Sequence, residues 1–207
     1  MTTLRDPLTI RGVTLPNRLW FPPVARDLAR PDGTVTDENV AAYREVAAGG
    51  VGTVVVEHCF ITPGGRYSAR QIGIDRDDCV SGLARIAAAI RSAAAVPVAQ
   101  ISFAGARTSA GGRVGPSALH LSANYEAAEE MTPAEIESLP GLFEAAVRRA
   151  RAAGFAGAEI HGAHGFLLSA FFSPLANRRS DGYGGDLHAR SRLPVVQEPK
   201  TTRGVGC

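Results

Sequence analysis

A chain of 207 residues, 45% hydrophobic and 20% charged, has ordinary soluble globular composition and can bury one sizeable core. Lys and Arg number 22 against 20 Asp and Glu, a net charge of +2, so nothing argues for nucleic acid or an anionic membrane as a main partner. Cys59, Cys79 and Cys207 are too scattered for a disulfide framework or a zinc spacing.

The opening MTTLRDPLTIRG has no apolar signal core. The most apolar window, IAAAIRSAAAVPVAQI, is broken by Arg91 and Pro97, and a spanning helix needs about 20 apolar residues. A soluble cytoplasmic protein is the expectation. Lys200 is the only lysine, a compositional habit rather than a site.

In chain order, NRLWF (17–21) reads as a first strand, closed by Pro22-Pro23. TDENVAAYREVAAGG (36–50) reads as a helix. Thr36 or Asp37 caps it, Asp37 and Glu38 sit near its positive dipole end, and Gly49-Gly50 stop it. TVVVE (53–57) is a β-branched run bounded by glycine, the signature of a buried strand. DDCVSGLARIAAAIRSAAA (77–95) predicts an amphipathic helix with Val80, Leu83, Ile86 and Ile90 on one face. VPVAQIS (96–102) predicts a third strand. Residues 103–130 are rich in Gly, Ser and Ala without a long period, and read as a loop excursion carrying a small hairpin. Loops of that length in a compact domain are usually functional.

MTPAEIESLPGLFEAAVRRARAAGF (131–155) opens with Thr132, Pro133 and Glu135, a capping box with proline at the first helical position. Pro140 is expected to kink that helix or divide it. GAEIH (157–161) predicts a fourth strand. AAGGVGTVVVEH (47–58) and AAGFAGAEIH (152–161) share one grammar: helix end, glycine break, apolar strand, histidine. Strands joined through helices run parallel with right-handed crossovers. The fold class is therefore α/β, a barrel or a doubly wound sheet. In both, ligands bind where the strands end, and Glu57, His58, Gln100, Glu159 and His161 cluster at such ends.

His161 and His164 admit three readings. They are hydrogen-bonded structural histidines, metal ligands, or paired donors to one substrate oxygen, as in an oxyanion hole. Metal needs a third ligand from Glu57, His58, His120 or His188, and no HExxH or CxxC spacing supports it. The strand-end position favours the donor pair. Gln100 ends an apolar strand, where an unpaired amide is costly to bury. It makes a structural hydrogen bond or reads a flat heterocycle with one donor and one acceptor. GGRVGPS (111–117) and DGYGGD (181–186) read as turns, and Arg178-Arg179 as a solvated basic turn or a phosphate contact.

The block AGFAGAEIHGAHGFLLSAFFSPLANRRSDGYGGD (153–186), with MTPAEI before it, resembles the old yellow enzyme family of flavin-dependent ene-reductases, in its NADH:flavin oxidoreductase branch. LPNRL, AAGGVGTVVVE, QISFAGAR and GPSAL agree with it. The resemblance runs from about residue 6 to residue 196. It implies a TIM (β/α)8-type barrel truncated to about the first four βα units, holding FMN and using NADH or NADPH as reductant. It further implies that hydride passes through the flavin to the β-carbon of an alkene conjugated to a carbonyl.

By the same resemblance His161 and His164 bind the substrate oxygen and Gln100 faces the flavin pyrimidine edge. Pro22, Pro23 and Ala25 pack on the ring. His58 stands where a small flavin-contacting residue is usual, and its bulk crowds the flavin. Phe166, in the substrate pocket, stands where a proton-donating tyrosine is usual, so that role passes to water or another side chain. Phe103 replaces a frequent histidine. No metal is implied. A full barrel takes about 250 residues, and QEPKTTRGVGC (197–207) is poor helix material. Residues 1–196 are therefore expected to be a half-barrel and 197–207 a disordered, aberrant tail. Weak flavin binding and low activity are expected of such a chain. The alternatives are a flavin-dependent N-demethylase or dienoyl-thioester reductase relative, and a noncatalytic fragment. The expected partner is a small-molecule substrate, with a homo-oligomer left open.

Overall fold

The structure, a computed structural model, describes residues 2–109, 112–118 and 127–203, the stretch 196–203 by its backbone alone. It opens with an element absent from the sequence reading. β1 (Leu8–Ile10) and β2 (Val13–Leu15) form an antiparallel hairpin closed by Arg11-Gly12, both at positive φ (45° and 82°). Such two-residue turns match the strand twist, and glycine adopts them without strain.

The remaining elements follow a βα rhythm. β3 (Trp20–Phe21) is shorter than expected, because Asn17 turns the chain ahead of it. Asn17 accepts from the Leu19 N–H (3.0 Å) and donates to the Gly50 carbonyl (2.9 Å). α1 (Asp37–Ala48) carries the expected cap, with Thr36 accepting from the Asn39 N–H at 3.2 Å and Asn39 answering at 3.0 Å. Gly50, at φ 87°, turns the chain into β4 (Thr53–Phe60), every residue of which is buried. α2 (Cys79–Ser92) buries Leu83, Ile86 and Ile90 completely, as its period predicts. β5 (Val96–Ser102) follows, and then β6 (Val114–Gly115) and β7 (Glu129–Glu130).

α3 (Pro133–Ala152) starts with the predicted box: Thr132 N–H to Glu135 at 2.7 Å, and Glu135 N–H back to Thr132 at 3.3 Å. β8 (Gly157–Ile160), α4 (Leu167–Phe172) and α5 (Leu187–Arg203) complete the chain.

β3, β4, β5 and β8 form one parallel sheet in that order, each new strand joining the same edge. α1 packs on α2, α2 on α3 and α3 on α5, so successive helices line one face. A doubly wound sheet reverses strand order and divides its helices between two faces. The winding seen here is that of a barrel wall. The core between sheet and helices includes Val54, Ile86, Ile90, Ile136, Leu139 and Phe143, each worth about 2 kcal/mol of burial.

Three expectations change. Pro140 lies buried inside one continuous helix and does not divide it. Burial of that face outweighs the hydrogen bond that proline removes. β6 and β7 pair in parallel and make no hairpin. α5 continues to Arg203, so residues 197–203 are helical where a disordered tail was expected; 204–207 lie outside the described residues. Among the described residues, no helix is long and apolar enough to cross a membrane.

Thr132→Ala removes the acceptor of the α3 cap and is expected to cost about 1 kcal/mol. A urea unfolding midpoint equal to that of the unaltered chain would contradict this.

Candidate active site

The site begins with a local irregularity in β4. The register with β5 runs Val56 opposite Ala99, then Cys59 opposite Ile101, so Glu57 and His58 together oppose Gln100. Such a β-bulge shifts the ladder by one residue, and the two neighbours point to opposite sides of the sheet. Glu57, fully buried, turns toward α1. The Tyr43 hydroxyl donates to its Oε1 (3.2 Å) and accepts from its N–H (2.9 Å). The Arg26 N–H donates to Oε2 (3.0 Å), tying the segment after β3 to β4. Burial pushes the Glu57 carboxyl above its ordinary range, against those hydrogen bonds.

His58 turns the other way, into a cleft of about 240 Å³ at the strand ends. The cleft is lined by Pro23, Ala25, His58, Tyr67, Gln100, Arg107, His161, His164 and Phe166. The structure thus gathers every residue singled out for the site except Pro22, which does not line it. Tyr67 and Arg107 are the two members that sequence reasoning missed. Tyr67 sits in an irregular segment and Arg107 ends a single 3-10 turn (Gly105–Arg107), both too short for a period to mark an inward face.

His161 continues the β8 ladder, its N–H donating to the Ile101 carbonyl at 2.9 Å. Its Nδ1 accepts from the Ala163 N–H (3.3 Å), which leaves the proton of a neutral ring on Nε2. That Nε2 lies 3.2 Å from His164 Nδ1 and donates to it, so the two imidazoles are hydrogen-bonded to each other at the mouth of the strand. His164 reaches it with φ at 58°, beside Gly165 at 71°. A residue other than glycine held there stores strain of about 1–3 kcal/mol. Phe166 stacks on His161, with centroids 4.4 Å apart and planes at 14°. Phe166 in turn touches Tyr67 at 5.5 Å and His58 at 5.4 Å. Burial, with His58 and His164 nearby, takes His161 from its ordinary 6.5 down to about 4. It is a neutral donor across the physiological range.

Gln100 donates through Nε2 to Glu159 Oε1 at 2.5 Å, its partner in register. Its Oε1 is buried without a hydrogen-bond partner. A buried acceptor left open at a cleft is matched by a ligand N–H. Together with imidazole donors this suits a flat heterocycle that carries both N–H and carbonyl groups, as the FMN ring does.

The metal reading finds no support: among the described residues no three His, Cys, Asp or Glu side chains could hold an ion. His188 is exposed on α5, and His120 lies outside the described residues. Arg179 is neither a solvated basic residue nor free for phosphate. It is buried and pairs with Asp181 (2.6 Å) and Glu130 (3.2 Å), and donates to the carbonyls of Pro116 (2.9 Å) and Met131 (2.7 Å).

Because His161 titrates lower in the folded chain than its ordinary 6.5, the unfolded chain binds more protons between 6.5 and about 4. Stability from this group is complete above pH 6.5 and falls as pH drops toward 4. NMR titration of the ring is expected to find it uncharged at pH 6; a midpoint near 6.5 would contradict the geometry.

The sequence model of the NADH:flavin oxidoreductase / NADH oxidase family matches residues 3–203. An NADPH dehydrogenase of Geobacillus sp. (strain WCH70) is 39% identical over 194 residues, covering 93% of this chain and 57% of that protein. The old yellow enzyme homologue from Zymomonas mobilis superposes with a TM-score of 0.91 at 28% identity, over 99% of this chain and 61% of the other. A 2-naphthoyl-CoA reductase complex gives a TM-score of 0.93 at 27% identity, over 97% and 33%. The chain spans little more than half the length of the NADPH dehydrogenase it matches. A four-stranded barrel wall, a histidine pair at the end of its last strand and these likenesses agree: the chain belongs to the NADH:flavin oxidoreductase / NADH oxidase family, with the old yellow enzymes.

Proposed function

We propose that the cleft is the N-terminal wall of an FMN site at which an alkene conjugated to a carbonyl is reduced. The carrying observation is the meeting of His161 Nε2 and His164 Nδ1, hydrogen-bonded at 3.2 Å beside the open acceptor of Gln100; a carbonyl oxygen entering there replaces that mutual bond. Gln100 Oε1 takes an imide N–H of the flavin, and Pro23 and Ala25 flank the ring. When bound, FMN supplies a hydride that it takes from NADH or NADPH.

The chain's own side chains do the rest. His161 and His164 hold the carbonyl oxygen and withdraw charge from the alkene, which lowers the barrier to addition at the β-carbon. As the oxygen gains negative charge those hydrogen bonds strengthen, the logic of an oxyanion hole. Phe166 keeps the His161 ring in plane by stacking but has no proton to give. Water, or the Tyr67 phenol that lines the same cleft, supplies the α-carbon proton. A second reading, oxidation of an N-methyl amine or reduction of a dienoyl thioester, draws on the same apolar Phe166.

The test is retention of FMN after desalting, followed by turnover of a cyclic enone with NADH and NADPH. His161→Ala and His164→Ala are each expected to lower turnover by about 10²–10³ while flavin absorbance is retained. Retained flavin with undiminished turnover in both variants would sink the donor-pair role. Turnover of an N-methyl amine in place of the enone would favour the second reading.

A further inference from the structure

The bulge brings His58 into the cleft, and one neighbour decides what His58 can offer there. Gln71 is buried, and its amide lies between two backbone groups of opposite kind. Its Oε1 accepts from the Tyr67 N–H at 2.5 Å, and its Nε2 donates to the His58 carbonyl at 2.5 Å. Flipping the amide would set oxygen against oxygen at one end and N–H against N–H at the other. Its orientation is therefore fixed by the main chain, independently of any imidazole.

The same Nε2 lies 2.7 Å from His58 Nδ1. A nitrogen that only donates requires an acceptor, so Nδ1 carries no proton. Burial holds His58 below its ordinary pKa, against the charge of Asp27, so the ring is neutral. Its single proton must then sit on Nε2, across the ring from Gln71. Among the described residues, no protein group accepts from that atom.

We propose that Gln71 is a positioning residue that fixes His58 as the Nε2–H tautomer, so that the cleft presents a hydrogen-bond donor to a ligand oxygen or ring nitrogen beside the acceptor Oε1 of Gln100. The naming of that ligand as FMN rests on the function proposed above; the tautomer does not. His58 is thereby more than a bulky substitute for a small residue. It adds an imidazole donor beside the acceptor of Gln100, and it selects for ligands with an acceptor at that place.

Long-range proton–nitrogen NMR on the uniformly 15N-labelled 207-residue chain tests this directly. In the unaltered protein at pH 7 the Nε2–H form of His58 should exceed the Nδ1–H form by about tenfold, the weight of one buried hydrogen bond. Gln71→Glu places acceptor oxygens at Nδ1 and should reverse the ratio. Gln71→Leu should leave the two forms comparable. Gln71→Asn, if it folds, retains the donor type and should keep some Nε2–H preference. Circular dichroism identifies any variant that fails to fold, and the unaltered chain decides the tautomer by itself. A dominant Nδ1–H form there, or an unchanged ratio in folded Gln71→Leu, overturns the proposal. Added FMN should shift the His58 Nε2 resonance. The expected tautomer without a response to FMN would sustain the role of Gln71 and count against the flavin reading alone.

Discussion

Two residues of one strand face one residue of the next, and the site follows from that mismatch. With regular alternation Glu57 and His58 would still point to opposite faces, but Val56 and Cys59 could not both keep their partners on β5. The bulge keeps the ladder on either side. It leaves Glu57 under α1, where Tyr43 and the Arg26 N–H satisfy its oxygens, and leaves His58 at the strand end beside Gln100. The carboxylate anchors the segment that carries Pro23 and Ala25, and the imidazole lines the cleft those residues close. One backbone defect couples packing behind the sheet to chemistry in front of it.

The cleft sets buried imidazoles beside the guanidinium of Arg107. Burial is the largest cause of the lowered pKa at both His58 and His161, and neighbouring imidazoles add to it. Protonating either would place a cation next to other imidazoles in a poorly solvated space, so both stay uncharged. The backbone bears part of the cost. His164 is held at positive φ, and the Ser169 hydroxyl secures the turn by donating to the Ala163 carbonyl at 3.1 Å. Strain gathered where two rings must converge is what a preorganised site requires.

Much of this was legible in the chain. β-branched runs bounded by glycine marked β4 and β5, the Thr132 and Glu135 pair marked the start of α3, and the repeated helix–glycine–strand–histidine pattern pointed to parallel strands ending in polar residues. Those are local signals set by periodicity and caps. What was not legible depends on partners far apart in sequence. Arg179 looked like part of an open basic turn, yet it holds Pro116 and Met131, more than 40 residues away. Gln71 lies in an irregular stretch, and its part appears only once β4 is folded beside it. Tyr67 enters the cleft from a loop and Arg107 from a single 3-10 turn, where no period exists to read. The Arg11-Gly12 turn was a local signal that went unread, whereas the register shift at Glu57 leaves no mark in composition at all.

The bulge also sets how this stretch of the chain can vary over evolutionary time. Segments such as 61–78, between β4 and α2, lie outside the main parallel sheet and can gain or lose residues without moving its ladder. At 57–58 the count itself is the structure. Losing either residue would restore regular pairing with β5, but it would remove the acid beneath α1 or the ring in the cleft. Gaining one would carry Cys59 and Phe60 off their partners Ile101 and Ser102. Side chains here can be exchanged singly, while length cannot change, so divergence at this position is confined to substitution.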